Sequence, residues 1–221
     1  MRINKFVAQA TGLSRRTADT MIGNGQVLLN GAVAEPGSIV ATDDTVQFKD
    51  GRTLTVAAET QTILFNKPVG YIVSRNGQGS RTIYDLLPDA LRTLKPIGRL
   101  DKDSSGLIGL TSDGDLANKL MHPSQKKRKV YDVTLDKPLQ PLHRQMISEH
   151  GLQLADGPSK FIISRRTDDD DTTWVVTMHE GRNRQIRRTF QALGYVVVRI
   201  HRTEFGEYQL GQLRSGSHIA V

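Results

Sequence analysis

The sequence predicts an α+β protein in two parts. A small N-terminal α/β module precedes a larger domain built on a mostly antiparallel mixed sheet. Three observations carry this reading. The first sixty residues place two helix-period stretches ahead of a tight hairpin, the remainder shows six strand-like runs among only three helical stretches, and a small, polar stretch at 56–61 separates them. The expected domains are therefore residues 1–58 and 62–221.

In the first module Ile3, Phe6, Val7 and Ala10 recur at helical spacing, and Gly12 ends that run. Ser14 is placed to cap a second helix carrying Arg15, Arg16, Ala18, Met21 and Ile22, which Gly23 and Gly25 close. Asn30-Gly31 between two apolar triplets is a strong hairpin signal, because a type I′ turn needs two residues with positive φ. Asp43-Asp44 then makes a turn before the strand ending at Phe48.

Beyond the linker, strand patterns fall at 62–66, 107–111, 130–135, 161–164, 174–179 and 195–200. Helical patterns fall at 115–121, 141–150 and 184–192, the last closed by Gly194. The aspartates at 168–171 lie between two strands and read as a solvated hairpin tip rather than a metal site.

Charge narrows the partners. The net charge is +7, residues 1–60 are neutral overall, and the whole excess lies in the larger domain. It is clustered there: Lys126-Lys127-Arg128-Lys129 contains no acid, and six arginines lie between Arg182 and Arg202 without a carboxylate. Clustered like charges either stay solvated or meet a polyanion, and nucleic acid is the obvious one. The absence of cysteine, of an apolar stretch long enough to span a membrane and of a secretory leader fits a cytoplasmic protein.

One segment reads as a reaction centre. Gly98-Arg99-Leu100-Asp101-Lys102-Asp103-Ser104-Ser105-Gly106 sets Asp101 between cations, in a turn entering the apolar strand at 107–111. A carboxylate so placed stays ionised and can act as nucleophile or base. The segment also mimics the start of a calcium loop, but the position that needs a bidentate carboxylate is Ser112. No P-loop, dinucleotide fingerprint or HExxH occurs, and His122, His179 and His201 read as structural or surface residues.

The same segment, GRLDxxSxGL, resembles the active-site signature of the pseudouridine synthases of the RsuA/RluB/RluF class. The resemblance runs through Phe65-Asn66-Lys67-Pro68-Val69-Gly70-Tyr71, Lys129-Val130-Tyr131-Asp132-Val133 and Glu180-Gly181-Arg182-Asn183-Arg184-Gln185-Ile186-Arg187-Arg188. The first module resembles the S4 RNA-binding domain. These resemblances imply isomerisation of a uridine in RNA to pseudouridine, with no metal or other cofactor. Asp101 would be the catalytic carboxylate, Tyr131 the tyrosine packed on the target base, and Arg187 the partner of Asp101. Attack on the ribose C1′, addition to the uracil ring and removal of the C2′ proton all stay open for Asp101.

The target base has to leave its stack, and Arg99 is placed to fill the space it vacates. Leu210 or Leu213 would supply the apolar residue beneath the base. Lys67 is expected near the same pocket. RNA contacts are expected from Lys67 and Arg99, from Lys5, Arg15 and Arg16 in the first module, and from Lys126, Lys127, Arg128, Lys129, Arg182, Arg184 and Arg188. Similarity to the large-subunit members of the class points to 23S ribosomal RNA as the partner, and nothing in the sequence demands more than a monomer. A small-subunit or tRNA-directed synthase, or a non-catalytic RNA-binding assembly factor, are the alternatives.

Overall fold

The computed structural model describes residues 1–56 and 60–221, so the linker expected at 56–61 falls partly outside the described residues. The chain forms two compact units, Met1–Gln61 with Ser112–Gly114, and Thr62–Thr111 with Asp115–Val221.

In the first unit α1 (Ile3–Thr11) and α2 (Arg15–Gly23) bury Ile3, Val7, Ala8, Ala18 and Ile22 in one core. Gly12 adopts the left-handed conformation that stops α1, and Ser14 Oγ caps α2 by accepting the Thr17 N–H at 3.0 Å. Strands β1 (Val27–Leu29) and β2 (Ala32–Val33) meet through Asn30 and Gly31, with φ of 52° and 82°, the two positive values the turn requires. With β3 (Val46–Phe48) and β4 (Thr53–Leu54) they make a four-stranded sheet in the order β2-β1-β3-β4. Val27, Val46, Phe48 and Leu54 close the core.

The second unit carries β5 (Thr62–Lys67), β6 (Lys95–Ile97), β7 (Ser105–Thr111), α3 (Gly114–Met121), β8 (Lys129–Leu135) and α4 (Pro141–Gln145). These are followed by β9 (Leu152–Leu154), β10 (Gly157–Ser159), β11 (Ile162–Arg165), β12 (Thr173–Met178), α5 (Gln185–Ala192), β13 (Val197–Phe205), β14 (Tyr208–Gln209) and β15 (His218–Ala220). Nine of the strands form one sheet in the order β11-β12-β8-β13-β7-β5-β15, with β6 added to β7 and β14 to β13. Among the described residues β7 and β13 are its one parallel pair, so the sheet is mixed and mostly antiparallel, as expected.

Some boundaries differ from the sequence reading. Strand β13 continues to Phe205, and the helix expected over 141–150 ends as a π-turn at Met146–His150, where the Gly151 N–H reaches Met146 O at 2.8 Å. The aspartate run does sit at a hairpin tip, between β11 and β12. There the Thr172 and Thr173 groups that donate to Asp170 hold its carboxyl down at about 2.

The parallel seam fixes the site. Arg202 pairs with Gly106, which has φ +108°, and a Cβ there would lie 2.2 Å from the Arg202 carbonyl oxygen. Only glycine allows the two backbones this close. Gly106→Ala is expected to destabilise the protein by about 3 kcal/mol through clash and backbone strain. Chemical denaturation of the two proteins, compared by midpoint, checks this.

Candidate active site

Asp101 lies in the turn that feeds β7, as its sequence context predicts. The Ser104 N–H donates to Asp101 O at 3.1 Å and the Gly70 N–H to Lys102 O at 2.8 Å. From below, Lys67 Nζ donates to Ser104 O at 2.6 Å and to Pro68 O at 3.0 Å. Lys67 ends a strand whose residues are all buried, and it is 0% exposed. An RNA contact from Lys67 is therefore corrected: its ammonium is sealed inside and holds the turn. Burial pushes it down to about 8, and the charges of Asp101 and Asp103 oppose part of that.

Asp101 and Tyr131 line one cavity of about 240 Å³. Tyr131, on the buried face of β8, is 7% exposed. Leu100, Met178, Ile186 and Ile200 supply the apolar lining, while Arg99, Arg182 and Arg184 supply its charge. Leu210 and Leu213 are not in this lining. They pack against Leu64, Ile97, Leu107, Leu120 and Phe205 in a separate cluster, which corrects their expected place beneath a base. Arg99 is exposed, and no ion pair or side-chain hydrogen bond engages it among the described residues.

The arginine pairing also differs from expectation. Arg187 meets Asp103, not Asp101: its Nε lies 3.2 Å from Asp103 Oδ2 and its Nη2 donates to Asp103 O at 3.0 Å. Its Nη1 donates to Val197 O, which anchors α5 to β13. Arg184, one helical turn earlier, donates to both carboxylate oxygens of Asp103 at 3.1 and 2.9 Å. Its Nη1 is also 3.8 Å from Asp101 Oδ2. The reason is positional, since Arg184 caps α5 in a left-handed conformation, φ 46° and ψ 32°, and this turns it toward the loop. A non-glycine residue held there costs roughly 1–3 kcal/mol, and such strain concentrates at functional sites. The Arg184 hydrogen bonds, with the charges of both arginines, hold Asp103 below the usual carboxylate range.

Much of the remaining basic cluster is committed internally. Arg182 donates to Asp156 Oδ1 and to the carbonyls of Asp156, Gly157 and Pro158, and Arg188 forks onto both Asp156 oxygens at 2.9 and 2.7 Å. Buried Gln185 donates to Ser159 Oγ at 3.0 Å. These groups tie α5 to the β9–β10 hairpin, so Arg182 and Arg188, both part-buried, brace the site. Arg128 pairs with Glu204, and half-buried Lys129 donates to Glu180 O at 3.3 Å, with burial lowering its pKa. Lys126 is exposed and Lys127 half-buried. In the first unit Arg15 and Arg16 are exposed, Arg15 donating to Asn4 Oδ1 at 3.1 Å, and Lys5 is half-buried.

Asp103, Asp156 and Gln185 had no assigned role in the sequence reading. Asp103 stood in plain view two residues after Asp101, but only as a possible cation ligand. No group of three or more metal-ligating acids or histidines occurs among the described residues.

The nine-stranded mixed sheet sets an acid and a tyrosine in one cleft lined by arginines. The RNA pseudouridylate synthase profile matches residues 61–192 and the S4 domain profile residues 1–46. The chain belongs to the RNA pseudouridylate synthase family. The ribosomal large subunit pseudouridine synthase B of Bacillus subtilis is 36% identical, over 97% of this chain and 89% of that protein. Its namesake in Xylella fastidiosa is 36% identical over 95% of this chain, which spans only 46% of that longer protein. The crystal structure of a pseudouridylate synthase superposes with a TM-score of 0.70 at 31% identity, covering 100% of this chain and 96% of the other.

The buried lysine makes a signed prediction. Its pKa in the folded state, about 8, lies below the 10.5 of a free lysine. Between those values the unfolded chain binds more protons, so stability rises with pH across that window. Below it the cost of the buried charge is present in full. Relative to Lys67→Met, the wild type is expected to gain up to about 3 kcal/mol between the two pKa values. Parallel denaturation series at several pH values measure the difference in slope.

Proposed function

We propose that this protein isomerises a specific uridine of large-subunit ribosomal RNA, the 23S species, to pseudouridine. The observation that carries the reading is the shared cavity: a single carboxylate, Asp101, and a tyrosine, Tyr131, in a space sized for one pyrimidine nucleoside. The names of the relatives and the S4 domain match in this chain support the substrate class.

In the reaction the uracil N1–C1′ bond breaks, the base turns, a C5–C1′ bond forms, C5 gives up its proton and N1 takes one. Atoms and electrons balance within the nucleotide, so the chemistry calls for positioning and one ionised acid. Asp101 acts at the sugar–base junction as that acid. Tyr131 stacks on the everted uracil, an interaction worth about 1–3 kcal/mol and tolerant of base rotation. Leu100, Met178, Ile186 and Ile200 exclude water around the ring. Arg99 enters the space that the base leaves, and eversion costs a few kcal/mol.

RNA is gripped by exposed and half-buried cations that have no acidic partner among the described residues, rather than by the whole basic cluster. Arg99, Lys126, Lys127, Arg15 and Arg16 supply phosphate contacts, in a protein acting as a cytoplasmic monomer on rRNA. Residues 1–58 serve as the RNA-binding domain and residues 62–221 as the catalytic domain.

Two measurements test this. Asp101→Ala is expected to bind rRNA as the wild type does while releasing no tritium from [5-³H]uridine-labelled rRNA. Full release by that variant removes the assignment. Lys126→Gln and Lys127→Gln should each flatten the dependence of log affinity on log salt by about 0.7 to 0.9, the effect of one lost phosphate contact. Filter binding across a salt series reads it.

A further inference from the structure

Asp103 is the best-bound carboxylate of the site, yet it is not the one assigned to chemistry. Both of its oxygens accept from the fork of Arg184, at 3.1 and 2.9 Å, and Oδ2 also lies 3.2 Å from Arg187 Nε. Asp101, two residues earlier, has only the Arg184 Nη1 at 3.8 Å. That same Nη1 donates to Asp103, so the two carboxylates share one cation and Asp103 has the shorter contacts. Arg187 ties Asp103 O to Val197 O and so fixes the carboxylate end of the fork, and the bidentate grip sets where the Arg184 guanidinium rests.

We infer that Asp103 is a positioning residue that holds Arg184 in a bidentate grip and so keeps it from closing on Asp101. A carboxylate forked by a guanidinium has its lone pairs occupied and its charge neutralised, which makes it a poor nucleophile or base. A cation held just beyond hydrogen-bond range leaves the oxygens of the acid open to substrate. The competition has a built-in geometry: the acceptor that wins is the one both arginines reach. The charged groups facing the pair are Arg184, Arg187, the cavity-lining Arg99 and Arg182 and, from beneath, the Lys67 ammonium. The inference rests on the assignment of Asp101 as the reacting acid.

Asp103→Asn keeps the size but turns one accepting oxygen into a donating NH2, which breaks the fork. Arg184 then swings onto Asp101. Single-turnover tritium release from [5-³H]uridine-labelled large-subunit rRNA is expected to fall on the order of 100-fold at neutral pH, the scale of a 1 Å misplacement. Rate falls with rRNA affinity unchanged, and the acid limb of the rate profile moves about one pH unit lower, as a new opposite charge requires. Asp103→Glu, whose longer carboxylate still reaches the exposed Arg184, recovers most of the rate.

If Asp103→Asn does not melt like the wild type, adding Arg184→Gln to it decides the matter: without the cation that would close on Asp101 most of the lost rate is expected to return, and no return overturns the inference. A wild-type rate and profile in Asp103→Asn overturn the inference. So does a loss of rate with lowered rRNA affinity and an unmoved acid limb, since that marks a merely structural role. Activity in Asp101→Ala would instead remove the underlying assignment, which keeps the two failures apart.

Discussion

The bond from Lys67 Nζ to Ser104 O, 2.6 Å long and wholly inside the protein, is the constraint on which the cleft depends. Burying an ammonium without a contacting carboxylate is costly. Here the cost is offset by two carbonyl acceptors and by the field of Asp101 and Asp103. Held from beneath, the turn leaves both carboxylates on its accessible side, 38% and 43% exposed. The lysine thus converts folding energy into the placement of two acids.

From that turn the rest of the site follows as a chain of grips. Asp103 takes Arg184 and Arg187, Arg187 reaches across to Val197 O on β13, and β13 runs against Gly106 on β7. On the other side of α5, Arg182, Gln185 and Arg188 hold the β9–β10 hairpin through Asp156 and Ser159. A segment rich in arginine is therefore in large part internal scaffolding. The formal charge of +7 overstates what is free to meet a polyanion, because several of these cations already have acidic or carbonyl partners.

Periodicity made the principal elements of the fold legible in the sequence. The Asn30-Gly31 turn, the Ser14 cap and the buried strand after Asp101 were readable because each depends on a local rule of backbone or burial. Strands β6, β9, β10, β14 and β15 were not, because two or three residues carry no period and their pairing is set by distant partners. The same division holds in the cleft. Asp101 and Tyr131 were found through their motifs, whereas the Arg184–Asp103 fork spans 81 positions and turns on one left-handed backbone. Lys67 misled for a related reason: a lysine near a turn reads as surface until the neighbouring strands bury it.

The sheet ends at β11, a strand of four residues with Ile162 61% exposed. Such a border invites another chain to add itself by main-chain pairing. Its brevity, and the charged hairpin beyond it in which Arg165 binds Asp171, discourage that addition. The acidic tip thereby shields this edge of the sheet. Replacing its aspartates with apolar residues would endanger colloidal behaviour well before it touched turnover.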